Sequence, residues 1–96
     1  MSGIAIPMES RVRYLKRRQQ ELADLLASEP TPETLFEKAQ KIGHQVKGNA
    51  VTFDFAELTE NAKSLEAAAL RKDANGVLTL ARELMVQVEG QLSTLV

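Results

Sequence analysis

The apolar residues of this chain recur at intervals of three and four in four separate blocks, and nowhere do they alternate with a period of two. In the second block Leu35, Ala39, Ile42, Val46, Ala50 and Phe53 are spaced 4, 3, 4, 4, 3. In the third, Phe55, Leu58, Ala62, Leu65 and Ala69 are spaced 3, 4, 3, 4. Such spacing keeps apolar side chains on one side of a helix with about 3.6 residues per turn and scatters them on a strand. The first block carries Met8, Val12, Leu15, Leu22, Leu25 and Leu26 on its inward face, with Gln19 as a polar intrusion. The last carries Val77, Leu80, Ala81, Leu84, Val88, Leu92 and Leu95. The chain is therefore predicted to be all-α.

Breakers and caps divide it. The first helix is predicted from about Met8 to Ala27 and is ended by Ser28-Glu29-Pro30-Thr31-Pro32. Thr31 suits the N-cap of the second helix, and Pro32 suits its first position, where a missing N–H is no loss. That helix is expected to reach about Phe53. Asp54 followed by Glu57 resembles a capping box and is expected to start a third helix ending near Lys72. Asp73-Ala74-Asn75-Gly76 reads as a turn with cap chemistry, and the fourth helix is expected to run to about Leu95. Four amphipathic helices, each roughly 25–35 Å long, joined by short links imply an antiparallel up-down-up-down four-helix bundle. Residues 1–96 read as a single domain with its core in 8–95.

Composition excludes several classes of function. There are no cysteines, so thiol chemistry and disulfides are out. A lone histidine with Met8 and Met85 offers too few inward ligands for a metal or haem, and no cofactor is expected. No apolar run approaches the roughly 20 residues of a membrane span. The opening Met1–Pro7 lacks the basic region of a signal peptide, so no membrane association and a cytoplasmic location are expected. A formal net charge of −1 argues against bulk nucleic-acid binding. Arg11, Arg13, Lys16, Arg17 and Arg18 form a basic cluster, but no aromatic ladder is interleaved with it, and their stems can cover the apolar flank of the first helix.

The only histidine, His44, stands in the second helix. At about 100° per residue it points about 165° away from the centre of the apolar stripe, toward solvent. Lys47 and Gly48 follow it by three and four residues, so they share its face. Neutral imidazole is nucleophilic at cellular pH and can accept a phosphoryl group, and an ammonium one turn on can stabilise the added negative charge. A mid-helix glycine costs about 1 kcal/mol against alanine. Here close approach of a docking partner is favoured over helix packing as the offset. Val51 adds an apolar contact to this face, and Gln40 and Lys41 complete its rim. Glu66 in the third helix lies roughly 70° off the inward stripe, where it could reach sideways to orient the ring. Glu57 and Ser64 point more squarely outward.

His44-Gln45-Val46-Lys47-Gly48 resembles the H-x-x-K-G motif of histidine-containing phosphotransfer (HPt) domains. Thr52-Phe53-Asp54-Phe55, then Leu58 and Ser64-Leu65-Glu66, resemble the turn, apolar anchor and A-x-x-L-E segment of that family. Tyr14-Leu15-Lys16-Arg17-Arg18 followed by Leu22 fits its first helix, so the resemblance spans residues 8–95. Asp54 departs from it, standing in a turn where family members often carry glycine, but Asp tolerates turn geometry and the fold is expected to survive.

The resemblance implies a phosphorelay intermediate in two-component signalling. His44 would take a phosphoryl group from a receiver-domain aspartate, at Nε2, and pass it to a second receiver. Lys47 would stabilise the phosphate and Glu66 would orient the ring. Gln40, Lys41, Gly48 and Val51 would form the docking surface. Mg²⁺ would belong to the receiver. The chain would be a monomeric phosphocarrier without kinase activity of its own, with response-regulator receivers and a hybrid histidine kinase as its partners. The main rival is an HPt-like adaptor that docks receivers or kinases without accepting phosphate.

Overall fold

The computed structural model describes residues 6–27 and 32–95. The break at 28–31, including the predicted N-cap Thr31, lies outside the described residues. Four helices follow in order: α1 (Met8–Ala27), α2 (Pro32–Asn49), α3 (Thr59–Leu70) and α4 (Ala74–Leu95), with one 3₁₀ turn at Ala56–Leu58. Among the described residues there is no strand. The helices pack as an antiparallel bundle with extents of 42 × 25 × 16 Å. α2 lies closely on α3, α3 on α4 and α4 on α1, whereas the chain neighbours α1 and α2 touch only sparsely.

The predicted stripes form the core. Leu15, Leu22 and Leu25 of α1 are buried against Leu35, Ala39, Ile42 and Val46 of α2, Ala62, Leu65 and Ala69 of α3, and Val77, Ala81, Leu84, Val88 and Leu92 of α4. Each large side chain removed from water contributes about 1.5–3 kcal/mol, which is what holds four separately marginal helices together. Met8, expected inward, is exposed, while Leu80 and Leu95 are only partly buried. Tyr14 and Arg18, outside the predicted stripe, are buried. Arg18 lies over the Tyr14 ring at 5.1 Å and is neutralised by Glu21, with Nε 3.0 Å from Oε1. Gln19, the polar intrusion in the stripe, is half-buried and donates to the Glu89 carboxylate of α4 at 3.2 Å.

The connection after α2 departs from expectation. The helix ends at Asn49, not near Phe53, and the chain turns tightly through residues 50–54. The Phe55 amide closes the turn by donating to the Ala50 carbonyl at 2.8 Å. The cause is the pair of phenylalanines on either side of Asp54. In a continuing helix, residues two apart point about 200° away from each other. In the turn both rings stack on Tyr14, Phe53 at 4.3 Å and Phe55 at 6.0 Å between centroids, and Phe55 becomes fully buried. Arg11 secures the turn, donating from Nε to the Phe53 carbonyl at 3.2 Å and lying over the Phe55 ring at 4.9 Å.

This geometry overturns the predicted capping box. Asp54 has φ 68°, a left-handed conformation, and its carboxylate faces Arg11 at 3.6 Å. No side chain caps the 3₁₀ turn, which contains Glu57, or the start of α3. The left-handed φ also explains why a glycine would be at home at this position. α3 ends at Leu70, two residues early, because Lys72 turns left-handed with φ 58°. The Lys72 amide donates to the Ala69 carbonyl and the Asp73 amide to the Ala68 carbonyl, both at 3.0 Å, which is a Schellman ending with lysine in the place glycine usually takes. Asp73 then caps α4 as predicted, its Oδ1 accepting from the Gly76 amide at 3.0 Å.

Asp73→Ala should therefore lower stability by about 1 kcal/mol, as loss of an N-cap does. Glu57→Ala should change it by less than about 0.5 kcal/mol, since its side chain caps nothing. Paired urea melts compare the two; an equal loss in both variants would restore the capping box.

Candidate functional site

The α2–α3 seam is where the backbones come closest, and Gly43 is the reason. A methyl group built on Gly43 would lie 2.7 Å from the Ala62 carbonyl oxygen and 2.8 Å from the Glu66 amide nitrogen. Both are main-chain atoms of α3 and neither can move aside cheaply. Only a residue without Cβ permits this approach. Its consequence falls on the next residue: His44 leaves α2 beside the point where Glu66 leaves α3.

The His44 side chain keeps 70% of its surface in solvent, whereas that of Glu66 keeps 13%. Nδ1 of His44 lies 2.9 Å from Oε2 of Glu66. The other carboxylate oxygen accepts a 2.6 Å bond from Nζ of Lys47. Glu66 is thus held by two donors from consecutive turns of α2. Its carboxyl is held below the ordinary value of 4.5, first by the Lys47 bond, against the opposing effect of burial, and then by the His44 bond. An ionised carboxylate only accepts, so Nδ1 carries the proton. In the neutral ring the lone pair is then on Nε2, the nitrogen turned away from Glu66.

The candidate residues read from the sequence fall on one surface. Gln40, Lys41, Gly48 and Val51 are all exposed, Val51 at 64%. Ser64 and Glu57 also face outward, as expected. A Cβ on Gly48 would meet nothing within 4 Å. Helix packing therefore does not account for this glycine, and the surface beside His44 is open. Lys47 differs from expectation: it is half-buried, with 38% of its side chain exposed, and bound to Glu66. One of its three N–H groups is spent there.

One turn from the His44–Glu66 pair, toward the start of α2, the same seam opens into a groove of about 570 Å³ lined by Phe36, Gln40, Ala69 and Leu70, with Glu33, Glu37 and Lys72 around it. Leu70 is among the most exposed large apolar side chains of the described residues. Sequence reasoning passed over Phe36 and Leu70, although each lies four residues from a chosen position, Gln40 and Glu66 respectively. Gly43 was passed over as well.

No family model matches this chain, and neither a curated protein nor a solved structure matches it. Among the described residues, no helix is long and apolar enough to cross a membrane, and no group of three or more His, Cys, Asp or Glu side chains could hold a metal ion.

Gly43→Ala should separate α2 from α3 and lower stability by about 2 kcal/mol or more, as overpacking against backbone does. The His44 ring signals in NMR should lose the signature of the Nδ1 bond. A fully stable variant with an unchanged ring would mean the seam is slack.

The lowered pKa of Glu66 also has a sign. A carboxylate whose pKa falls on folding stabilises the fold fully above its unfolded value and loses that contribution as pH drops through the folded one. In a His44→Gln background, which removes the only imidazole, the protein with Glu66 should outlast its Glu66→Gln counterpart in urea down to about pH 5, and the gap should narrow below that. A gap that widened on acidification would reverse the assignment.

Proposed function

We propose that this chain is a phosphorelay intermediate of the HPt kind, accepting a phosphoryl group on His44 from the phosphoaspartate of a receiver domain and passing it to another receiver. The observation that carries the reading is the exposed imidazole whose Nδ1 is bound to a buried-side carboxylate while Nε2 faces outward. That arrangement fixes both the tautomer and the direction of the nucleophilic lone pair.

In the proposed step the Nε2 lone pair forms the N–P bond, and the electrons of the breaking P–O bond return to the aspartate carboxylate. No proton needs to move, because Nδ1–H is already in place. The ring becomes formally cationic as it is phosphorylated. Glu66, 2.9 Å from Nδ1, stabilises that charge. Lys47, through the two N–H groups that Glu66 leaves free, attracts the phosphoryl oxygens. The site supplies positioning and electrostatics, and Mg²⁺ chemistry belongs to the receiver. The reverse transfer uses the same geometry, so the carrier serves either direction of flow.

The docking surface in this reading is the face of Gln40, Lys41, Gly48 and Val51. The open space over Gly48 lets a partner's backbone approach the ring, and Val51 offers the partner an apolar contact. Response-regulator receivers, and the receiver of a hybrid kinase, are the expected partners; the isolated glycines of the sequence build no phosphate loop, so in this reading the phosphoryl group comes from a partner.

Incubation with phosphorylated receivers should place acid-labile, base-stable phosphate on the wild-type chain and none on His44→Gln. Lys47→Ala should slow transfer by about tenfold or more, a loss of about 1.4 kcal/mol in the transition state. Gly48→Ala should raise stability by up to about 1 kcal/mol and still weaken receiver binding. Label on His44→Gln would assign another acceptor. Receivers that bind tightly without labelling the wild type would leave a docking adaptor instead.

A further inference from the structure

The loose α1–α2 seam, on the other side of α2 from the His44–Glu66 pair, opens near the end of α2 into a second groove of about 350 Å³. Tyr14 and Phe53, stacked at 4.3 Å, line it as an aromatic wall. Arg13, Arg17, Arg18 and Asn49 supply its polar lining, with Ser10 at one end.

Two features of this groove are unusual for a solvated charge cluster. The first is burial: Arg18 is 5% exposed although charged. A guanidinium taken out of water requires anionic partners. Its partner Glu21 is shared, since Arg17 reaches the same carboxylate at 3.8 Å. Arg13 has no ion pair among the described residues. Three guanidiniums against one carboxylate leave two positive charges on the groove, in a chain whose net charge is −1. The carboxylate of Asp54, nearest in sequence to Phe53, is turned to Arg11 instead.

The second feature is the sign of the remaining hydrogen-bonding capacity. The Tyr14 hydroxyl donates to Oδ1 of Asn49 at 2.6 Å. That spends the amide's acceptor and leaves its NH₂ group. Together with the guanidiniums, what the groove offers a ligand is mainly donors. Guanidiniums four and five residues apart on one helix give forked N–H pairs from neighbouring turns, which suits a tetrahedral oxyanion better than a single cation would. A dianion matches the two surplus charges.

We propose that this groove is a phosphate-binding site, taking the phosphate group either free or as an aryl ester whose ring packs on the Tyr14–Phe53 wall. The site is separate from His44 and does not depend on the phosphorelay reading.

Titration of the full chain at constant ionic strength with inorganic phosphate, and separately with phenyl phosphate, tests this by NMR. The side-chain signals of Arg13, Arg17 and Asn49 should shift and saturate with a Kd of about 1 mM or tighter for at least one probe. Arg13→Ala/Arg17→Ala, both exposed and so not needed for folding, should weaken binding at least tenfold. His44→Gln and Lys38→Ala should leave it unchanged. Tighter binding of phenyl phosphate than of inorganic phosphate identifies the ester as the ligand, and equal binding identifies the free anion. Shifts that do not saturate, that spread equally to Lys38 and Lys41, or that survive the double substitution would overturn the site. A glutamate-rich peptide that binds there while neither phosphate probe does would overturn it too.

Discussion

The structure turns on the closeness of two backbones. Gly43 brings α2 against α3 at distances no Cβ could tolerate, and everything at the candidate site inherits that approach. Were the helices separated by the usual 8–10 Å of side-chain packing, Glu66 would have to stretch across solvent to meet His44. Instead its carboxylate is nearly covered and meets two donors on α2 at 2.9 and 2.6 Å. The glycine costs helix propensity, and the apolar contacts of Ile42, Val46, Ala62 and Leu65 on either side of the contact compensate by zipping the same seam.

A second constraint comes from α1. Its Tyr14 and Arg11 hold the turn at residues 50–54 from outside the α2–α3 pair, through ring stacking, a guanidinium over Phe55 and a bond to the Phe53 carbonyl. This clamp ends α2 and aims the following chain inward. It also helps to hold a non-glycine residue in left-handed geometry at Asp54, a local strain of about 1–2 kcal/mol. Lys72 carries the same kind of strain at the end of α3, held by the Schellman bonds.

The charges of the bundle are organised on two sides of α2. On the α3 side, a single carboxylate gathers an imidazole and an ammonium, so negative charge is already present and the ring is oriented. On the α1 side, a single carboxylate is outnumbered by guanidiniums around an aromatic wall. The near-neutral net charge conceals this arrangement, because carboxylates elsewhere in the chain offset the surplus guanidiniums.

Much of this was legible in the residues. Spacing alone identified four helices, their inward faces and the outward direction of His44, because a helix is a local structure with a fixed angle per residue. Asp73 announced its cap for the same reason, since the bond it makes spans three residues. Glu66 was legible as a flank position, though not as the shared partner of His44 and Lys47. The rest depended on residues distant in sequence meeting in space. Periodicity carried α2 on to Phe53, and only Tyr14, far away on α1, drew the two phenylalanines into a turn. The same period left Arg18 and Tyr14 off the stripe, because an angle gives a side chain's direction but not the neighbour that covers it. Gly43 read as one isolated glycine among five, and the distance between two helix axes is written in no single helix. The sequence by itself determined the elements and the faces they present. The tertiary structure alone decided how near those faces come, and hydrogen bonds at the site form or fail on that distance.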